Sequence, residues 1–515
     1  MCRLLFSKGL LIEQEHFLDA LLEMEHGGPD APGRVYEYEN YRLGHNRLSI
    51  LDITENSNQP YLSDDKRYVL IYNGEIYNYK ELASQYSIHL ENNSDTELLL
   101  KLSLKIGFEQ ALEKFNGMFA YLILDKVERK IFVARDRLGI KPLYYYHKGE
   151  VLIFSSEISG ILKLIEAPVH IDEIGLRQYK KLRTFFNGHT IYNEIKMFPA
   201  GYFYVNNCFH KYWELPNETQ APPTDEELRY LIESSINYRK ISDVPLGSYL
   251  SGGVDSSIVA ALANKTHTWT VGFKDNNEFV WAKLMAQIIH SSHHETITNS
   301  DRFLADLNYM IRKRKEPLSV PNEVLLYEMT KDVKKENTVV LCGEGADELF
   351  FGYDKIFRWA SQAKNFDIKE FSKYYSYGTE EDLEIVEDAV APFRQYKTPI
   401  GIVASFFQIA HLHGLLRRVD NSTMLCAVEA RVPFVDHRLI EQMAGVPFEY
   451  RMQNGVVKAP LKRIFQDILP SEIIQRPKVG FPVQIDRIFG TEKDKKYDAW
   501  LEYNMKYLQE VVSCN

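Results

Sequence analysis

The first two hundred residues carry a strand-rich pattern of apolar runs broken by turn residues. "KRYVLIYNGEIYNY" and "GMFAYLILDKVERKIFVARD" read as short strands interrupted by Gly, Asn and Asp. "LYYYHKGEVLIFSS" reads as a hairpin around Lys148-Gly149. Between these, "DTELLLKLSLKIG" switches to helical spacing. Leu98, Leu99, Leu102 and Ile106 share one face, and Gly107 is the expected stop. Strands with inserted helices predict a layered α+β domain. "WELPNETQAPPTDEELR" then changes the character: Pro216, Pro222 and Pro223 sit among polar residues, and Thr224 is placed to cap a helix. Beyond it, "VPLGSYL", "TWTVGF" and "TVVLCG" are apolar strands each followed by helical sequence, the rhythm of a parallel sheet covered by helices. After about Ala360 the pattern is mostly helical. We place the domains at residues 1–207 and 208–515.

Composition narrows the class. The chain has 515 residues, 45% hydrophobic and 26% charged, which suits an ordinary globular protein of two or three domains. A net charge of -10 argues against nucleic acid as a partner. No apolar run of about 18 residues occurs, and "MCRLLFSKGLLIEQE" is a poor secretory signal, so no membrane partner and no secretion are expected. Cys2, Cys208, Cys342, Cys426 and Cys514 are scattered, with no CxxC pair. That disfavours a zinc site or a disulfide framework and points to a reducing cytoplasm.

The chemistry concentrates in a few stretches. "LGSYLSGGVDSSIVAALA" runs an apolar strand into Ser251-Gly252-Gly253, and Asp255-Ser256-Ser257 then opens a helix. Glycines let backbone N–H groups approach an anion, and a helix start offers unpaired donors. No GK[ST] follows, so this is not a Walker loop. Asp255 beside a phosphate implies an intervening Mg²⁺. "VVLCGEGADELFFGYDKI" places Glu344, Asp347 and Glu348 at another strand's carboxyl end, where open α/β sheets bind ligands. Asp255 and Asp347 are the expected metal pair. "HSSHHET" lacks acidic or Cys partners at ligand spacing, so His290, His293 and His294 are read as structural.

The Ser251–Ser257 loop resembles the pyrophosphate loop of N-type ATP pyrophosphatases. With "VEARVPFVDHRLIE" it resembles the synthetase half of glutamine-dependent asparagine synthetases. "HNRLSILD", "YNGEIYNY", "SDTELLL", "FNGMFAYLILD" and "ARDRLGIKPLYY" are similar, in order, to that family's glutaminase half. The resemblance implies an αββα N-terminal-nucleophile domain followed by an α/β ATP pyrophosphatase domain with a helical C-terminal part. It implies glutamine, ATP, and aspartate or another carboxylate as substrates, Mg²⁺ as cofactor, and a homodimer.

Residue by residue, the resemblance assigns Cys2 as nucleophile once Met1 is removed, with its own α-amine as base. Such an amine has a pKa of about 7.7–8.0, suited to a general base. Asn73 and the Gly74 N–H match the oxyanion hole, and Arg47 the grip on the substrate carboxylate. Asp95 and Glu75 match the ammonium site, and Leu48, Ser49, Ile50 and Leu51 the backbone lining. Tyr249, Leu250, Val271, Cys342 and Gly343 match positions that hold ATP. Lys458 matches the lysine that meets developing phosphate charge, and Glu344 is the candidate for deprotonating ammonia. An internal ammonia tunnel is likewise implied.

Two departures stand out. The family usually has Gly after the nucleophile, and here stands Arg3. Where it usually reads RHRGPD, this chain reads "EHGGPD". An Arg3–Glu25 ion pair is the expected compensation. Other acceptors, such as a sugar uronic acid or a specialised metabolite, fit the same machinery. A non-catalytic nucleotide-binding scaffold is the reading from another class.

Overall fold

The computed structural model describes residues 2–513, except 10–11, 166–167, 218–219, 265–266 and 477–482. The N-terminal unit stacks two six-stranded antiparallel sheets. In the first the order is Ile195–Met197, Tyr144–Lys148, Val151–Ser155, Arg3–Lys8, Tyr41–Arg47, Ala31–Tyr38. In the second it is Cys208–Lys211, Tyr202–Val205, Lys130–Arg135, Gly117–Asp125, Tyr68–Ile76, Tyr61–Leu62. Alternation along each strand decides the layers. Leu4 and Phe6 point between the sheets with Leu43, Val69, Ile71, Leu122 and Val133. Leu5 faces the other way, onto Phe17 and Leu21 of the helix Gln14–Leu22. The helices Tyr79–Gln85 and Asp95–Ile106 cover the second sheet through Leu82, Leu98, Leu99 and Leu102. The αββα layering is therefore observed.

Local expectations hold in part. The Lys148-Gly149 hairpin forms in register Lys148↔Val151, and Ser94 caps the helix that ends at Gly107. Asn73-Gly74, however, does not break its strand. Tyr68–Ile76 is one continuous nine-residue strand paired throughout with Gly117–Asp125. A Cβ on Gly74 would lie 2.1 Å from the Met118 carbonyl oxygen, so this glycine permits close strand approach rather than a turn. The strand Cys208–Lys211 pairs back onto Tyr202–Val205, so that hairpin straddles residue 207.

Thr224 and Glu227 form a reciprocal capping box that opens the helix Asp225–Tyr238. A five-stranded parallel sheet follows, ordered Ser292–Thr298, His267–Phe273, Leu246–Tyr249, Val339–Leu341, Glu429–Arg431. All pairings are parallel. His267 and His294 stack beside Trp269 on adjacent strands, and no metal-holding group of His, Cys, Asp or Glu occurs among the described residues.

The helical remainder is organised around residues Pro399–Met424, a run with a π-helical segment at Phe407–His411. By length and hydropathy this run could span a bilayer, although the sequence offers no unbroken apolar stretch. Two-thirds of its apolar window (67%) is buried within the protein, which accounts for its composition.

Candidate active sites

Cys2 precedes the strand Arg3–Lys8 and is 8% exposed, at one end of the space between the two sheets. Its backbone N–H donates to Asn73 Oδ1 (3.2 Å), and its Sγ lies 3.9 Å from the Leu48 carbonyl. Burial pushes the thiol pKa up, so a base must draw off its proton. The surrounding cavity is about 30 Å³ and is lined by Arg47, Leu48, Ile50, Leu51, Gly74, Glu75 and Asp95. Ser49 and Asn73 are not in its wall. The Ser49 N–H is held by Asp30, and Asn73 Nδ2 points toward Ser156 Oγ at 3.5 Å.

Arg47 is already engaged. Its two terminal nitrogens donate to the Thr54 (2.6 Å), Leu51 (3.2 Å) and Asp52 carbonyls and to Asn58 Oδ1 (3.0 Å). Four of the five guanidinium N–H groups are thus used, and Nε–H has no acceptor among the described residues.

The far wall is acidic. Asp95 accepts from the Ile76 N–H and the Tyr72 hydroxyl, both at 2.8 Å. Burial raises its pKa to about 6. Burial, and then the charges of Asp95 and Glu429, hold Glu75 well above the usual carboxylate range. Glu75 and Glu429 share Arg431, which lies 3.6 Å from Glu75 and 2.5 Å from Glu429, and Asp95 adds a third buried carboxylate beside them. This negative excess is an environment for one more cation. Glu429 and Arg431 belong to the parallel sheet, a contribution to this pocket that the sequence reading missed. Their only sequence signal was the "EAR" of "VEARVPF".

The second cavity, about 570 Å³, opens at the carboxyl ends of the parallel strands. Tyr249, Leu250, Ser251, Gly253, Asp255, Ser256, Cys342, Gly343, Glu344, Asp347 and Lys458 all line it. Gly252, Ser257 and Val271 do not. Gly252 shapes the loop from behind: its φ is +71°, and a Cβ there would lie 2.4 Å from the Trp281 backbone. Ser257 and Val271 are buried beneath the wall. The Leu250 and Cys342 N–H groups are taken by the Trp269 and Arg431 carbonyls, at 2.8 and 2.9 Å.

Lys458 is the centre of this site. It is 6% exposed, with a left-handed backbone (φ 56°) at the start of the helix Ala459–Ile464. Its Nζ bridges Asp255 and Asp347, the latter at 2.6 Å. Although burial opposes the charge, these two carboxylates raise its pKa above the usual lysine value. Burial, followed by repulsion from Asp347 and Glu344, lifts Glu348 to about 8. Glu348 accepts from the Tyr353 hydroxyl (2.7 Å), which also meets His411.

Beyond the expected residues, the cavity wall includes Arg183 from the N-terminal unit, packed over the rings of Tyr377 and Tyr497, and Arg418. None of these four lies in a motif, and only packing brings them to the site.

Arg3 corrects an expectation. It is 1% exposed and pairs with Glu157 (2.5 Å) and Asp420 (3.2 Å), while Glu25 is exposed. Strand alternation sends Arg3 to the helix-covered face with Leu5, and Glu25 points to solvent.

Comparison with known proteins agrees across both units. The Glutamine amidotransferase domain family matches residues 1–213, and the Asparagine synthase family matches residues 227–504. Glutamine-hydrolysing asparagine synthetase 1 of Bacillus subtilis is 30% identical, over 92% of this chain and 84% of that protein. A putative asparagine synthetase 2 of Methanocaldococcus jannaschii is 34% identical, over 68% of this chain and 74% of its own length. The Gallus gallus asparagine synthetase is 27% identical, over 95% and 84%. This chain therefore belongs to the glutamine-hydrolysing asparagine synthetase family.

Proposed function

We propose that this protein is a ligase that makes asparagine from aspartate, with glutamine as nitrogen donor and ATP converted to AMP and pyrophosphate. The observation that carries the reading is Lys458 held between Asp255 and Asp347, opposite the Ser251–Ser256 loop. Two carboxylates converging on one point, facing backbone donors at a helix start, suit a Mg²⁺-bound triphosphate. Asp255 and Asp347 would hold the ion, and Mg²⁺ would neutralise phosphate charge. Lys458 then meets the charge that develops as the α–β bond breaks. The aspartate carboxylate attacks the α-phosphorus, and pyrophosphate leaves. Ammonia displaces AMP from the acyl-adenylate, with Glu344 taking its proton.

In the N-terminal unit, Cys2 attacks the glutamine carboxamide. The tetrahedral adduct collapses to a thioester as the C–N bond breaks and ammonia leaves, and water then hydrolyses the thioester to glutamate and frees the Cys2 thiol. The base is the Cys2 α-amine after loss of Met1, which lies outside the described residues. Gly74 N–H and Asn73 Nδ2 would support the oxyanion, and the Asp95–Glu75 wall the substrate ammonium. The cysteines described (Cys2, Cys208, Cys342 and Cys426) are all free thiols, which supports a cytoplasmic setting.

The test supplies glutamine, ATP, Mg²⁺ and a panel of carboxylic acids, and measures glutamate, pyrophosphate and AMP. Pyrophosphate release with aspartate is the expected result. Release only with another acid would overturn the product.

A further inference from the structure

The residue after the nucleophile is tied to the other domain. Arg3 Nη1 meets Asp420 Oδ2 at 3.2 Å, and Asp420 Oδ1 also holds Lys141 Nζ at 2.6 Å. Asp420 lies in the helix Leu412–Met424, which continues into the neighbouring Asn421. Asn421 Nδ2 donates to Glu316 Oε1 at 3.1 Å, and Arg314 donates to the same oxygen at 2.6 Å. Arg314 also donates to Glu323 at 2.8 Å, and Glu323 accepts the Ser319 and Val320 N–H groups at 2.6 and 3.1 Å. Val320 and Glu323 line the 570 Å³ cavity. A chain of buried polar contacts therefore runs from the Cys2 strand to the wall of the synthetase pocket. Arg3, Asp420, Asn421, Glu316, Arg314 and Glu323 are each no more than 6% exposed.

Burial makes this chain stiff. Moving Asp420 relative to Arg3 would break the middle link of the buried run Glu157–Arg3–Asp420–Lys141 and strip Arg3 Nη1 and Asp420 Oδ2 of their shared contact, which is costly in a buried site. On the nucleophile's side, a misplacement of about 1 Å can cost about a hundredfold in rate. Arg3 fills the space beside Gly27: a Cβ there would lie 2.8 Å from both Arg3 Cγ and Nε. On its other side Glu157 binds Arg3 Nε at 2.5 Å and His26 Nε2 at 3.0 Å.

We infer that Arg3 is a positioning residue that registers Cys2 against the helix Leu412–Met424, so that occupation of the synthetase pocket adjusts the rate of glutamine hydrolysis. The inference rests on the two-site reading above. The guanidinium makes the link, and the neighbouring Gly27 is the room it requires.

The experiment measures glutamate release by the full chain, with and without ATP, Mg²⁺ and aspartate, and separately ammonia-driven pyrophosphate release. Synthetase substrates should raise glutamate release by about fivefold or more, the low end of site-to-site coupling. Glutamate release that ignores them overturns this inference alone. Absence of glutamate release, with ammonia-driven synthesis intact, overturns the glutaminase reading itself.

Arg3→Gly and the near-isosteric Asp420→Asn should each cut the stimulation to under about twofold, with ammonia-driven synthesis unchanged within about twofold. Stimulation retained in either variant overturns the inference, and Asp420→Asn carries the test if Arg3→Gly does not fold. The double variant Arg3→Gly/Gly27→Arg returns a guanidinium to the same carboxylates from a different backbone position. Restored stimulation supports the inference. A double variant active with ammonia but still unstimulated overturns it.

Discussion

The two cavities solve opposite electrostatic problems. The Cys2 pocket is narrow, about 30 Å³, and two carboxylates beside it, Glu75 and Glu429, share Arg431 from the other unit. The synthetase cavity is far wider, about 570 Å³, and pins a lysine between two carboxylates. The narrow site has an acidic wall, made by Asp95 and Glu75. The terminal nitrogens of Arg47 are already engaged by the loop Leu51–Asn58. The wide site carries charges of both signs, Lys458 between Asp255 and Asp347. Selectivity for a small substrate can come from fit, whereas stabilising a transferring phosphate needs preorganised charge.

The sharpest test of this contrast removes each centre in turn. Cys2→Ala should abolish glutamine-dependent synthesis, a loss of about ten-thousandfold or more, while ammonia-driven synthesis persists. Glutamate and asparagine assays check it, and loss of both activities in folded protein would mean the sites are not separable. Lys458→Ala should lower pyrophosphate release by about a hundred- to a thousandfold and leave glutamate release present. A fall in both would show that the wide site controls the narrow one outright.

A pair of glycine substitutions probes tightness at the next scale. Gly74→Ala forces a Cβ against the Met118 carbonyl and should destabilise the fold by about 1–3 kcal/mol, with loss of glutamine hydrolysis. Gly253→Ala meets only Ser251 Oγ at 3.3 Å and should cost less in urea denaturation. Equal costs would deny the contrast.

The smallest effect is in pH dependence. Glu348 keeps its proton to about 8 in the folded chain, against 4.5 ordinarily. Between those values the folded state binds more protons than the unfolded, so stability falls as pH rises through this window. Glu348→Gln should flatten that slope, read from unfolding midpoints at about pH 5 and about pH 9. Glu157 and Asp420 are held below the usual carboxylate range despite burial, Glu157 by His26 and Arg3 and Asp420 by Lys141 and Arg3. Their contribution has the opposite sign: it is present at neutral pH and lost on acidification.

Much of this was legible in local sequence, because the features depend on residues near one another in the chain. The hairpin at Lys148-Gly149, the helix ending at Gly107, the Thr224 cap and the glycine-serine loop before a helix are set by backbone preference and short-range hydrogen bonds. The strand through Asn73-Gly74 was misread for the same reason. Its dipeptide favours a turn, but nine rungs of pairing with Gly117–Asp125 outweigh that preference.

Only the tertiary structure decided which distant charges meet. Arg431 reaches Glu75 across the two units, Arg183 enters a cavity built by the other unit, and Arg3 finds Asp420, 417 positions away, instead of Glu25. Sequence alone determined the elements and most of the side chains that line the two cavities, since these follow from local pattern. The partners of buried charges follow from packing, because an ion stripped of water must be matched by whatever the folded chain brings beside it.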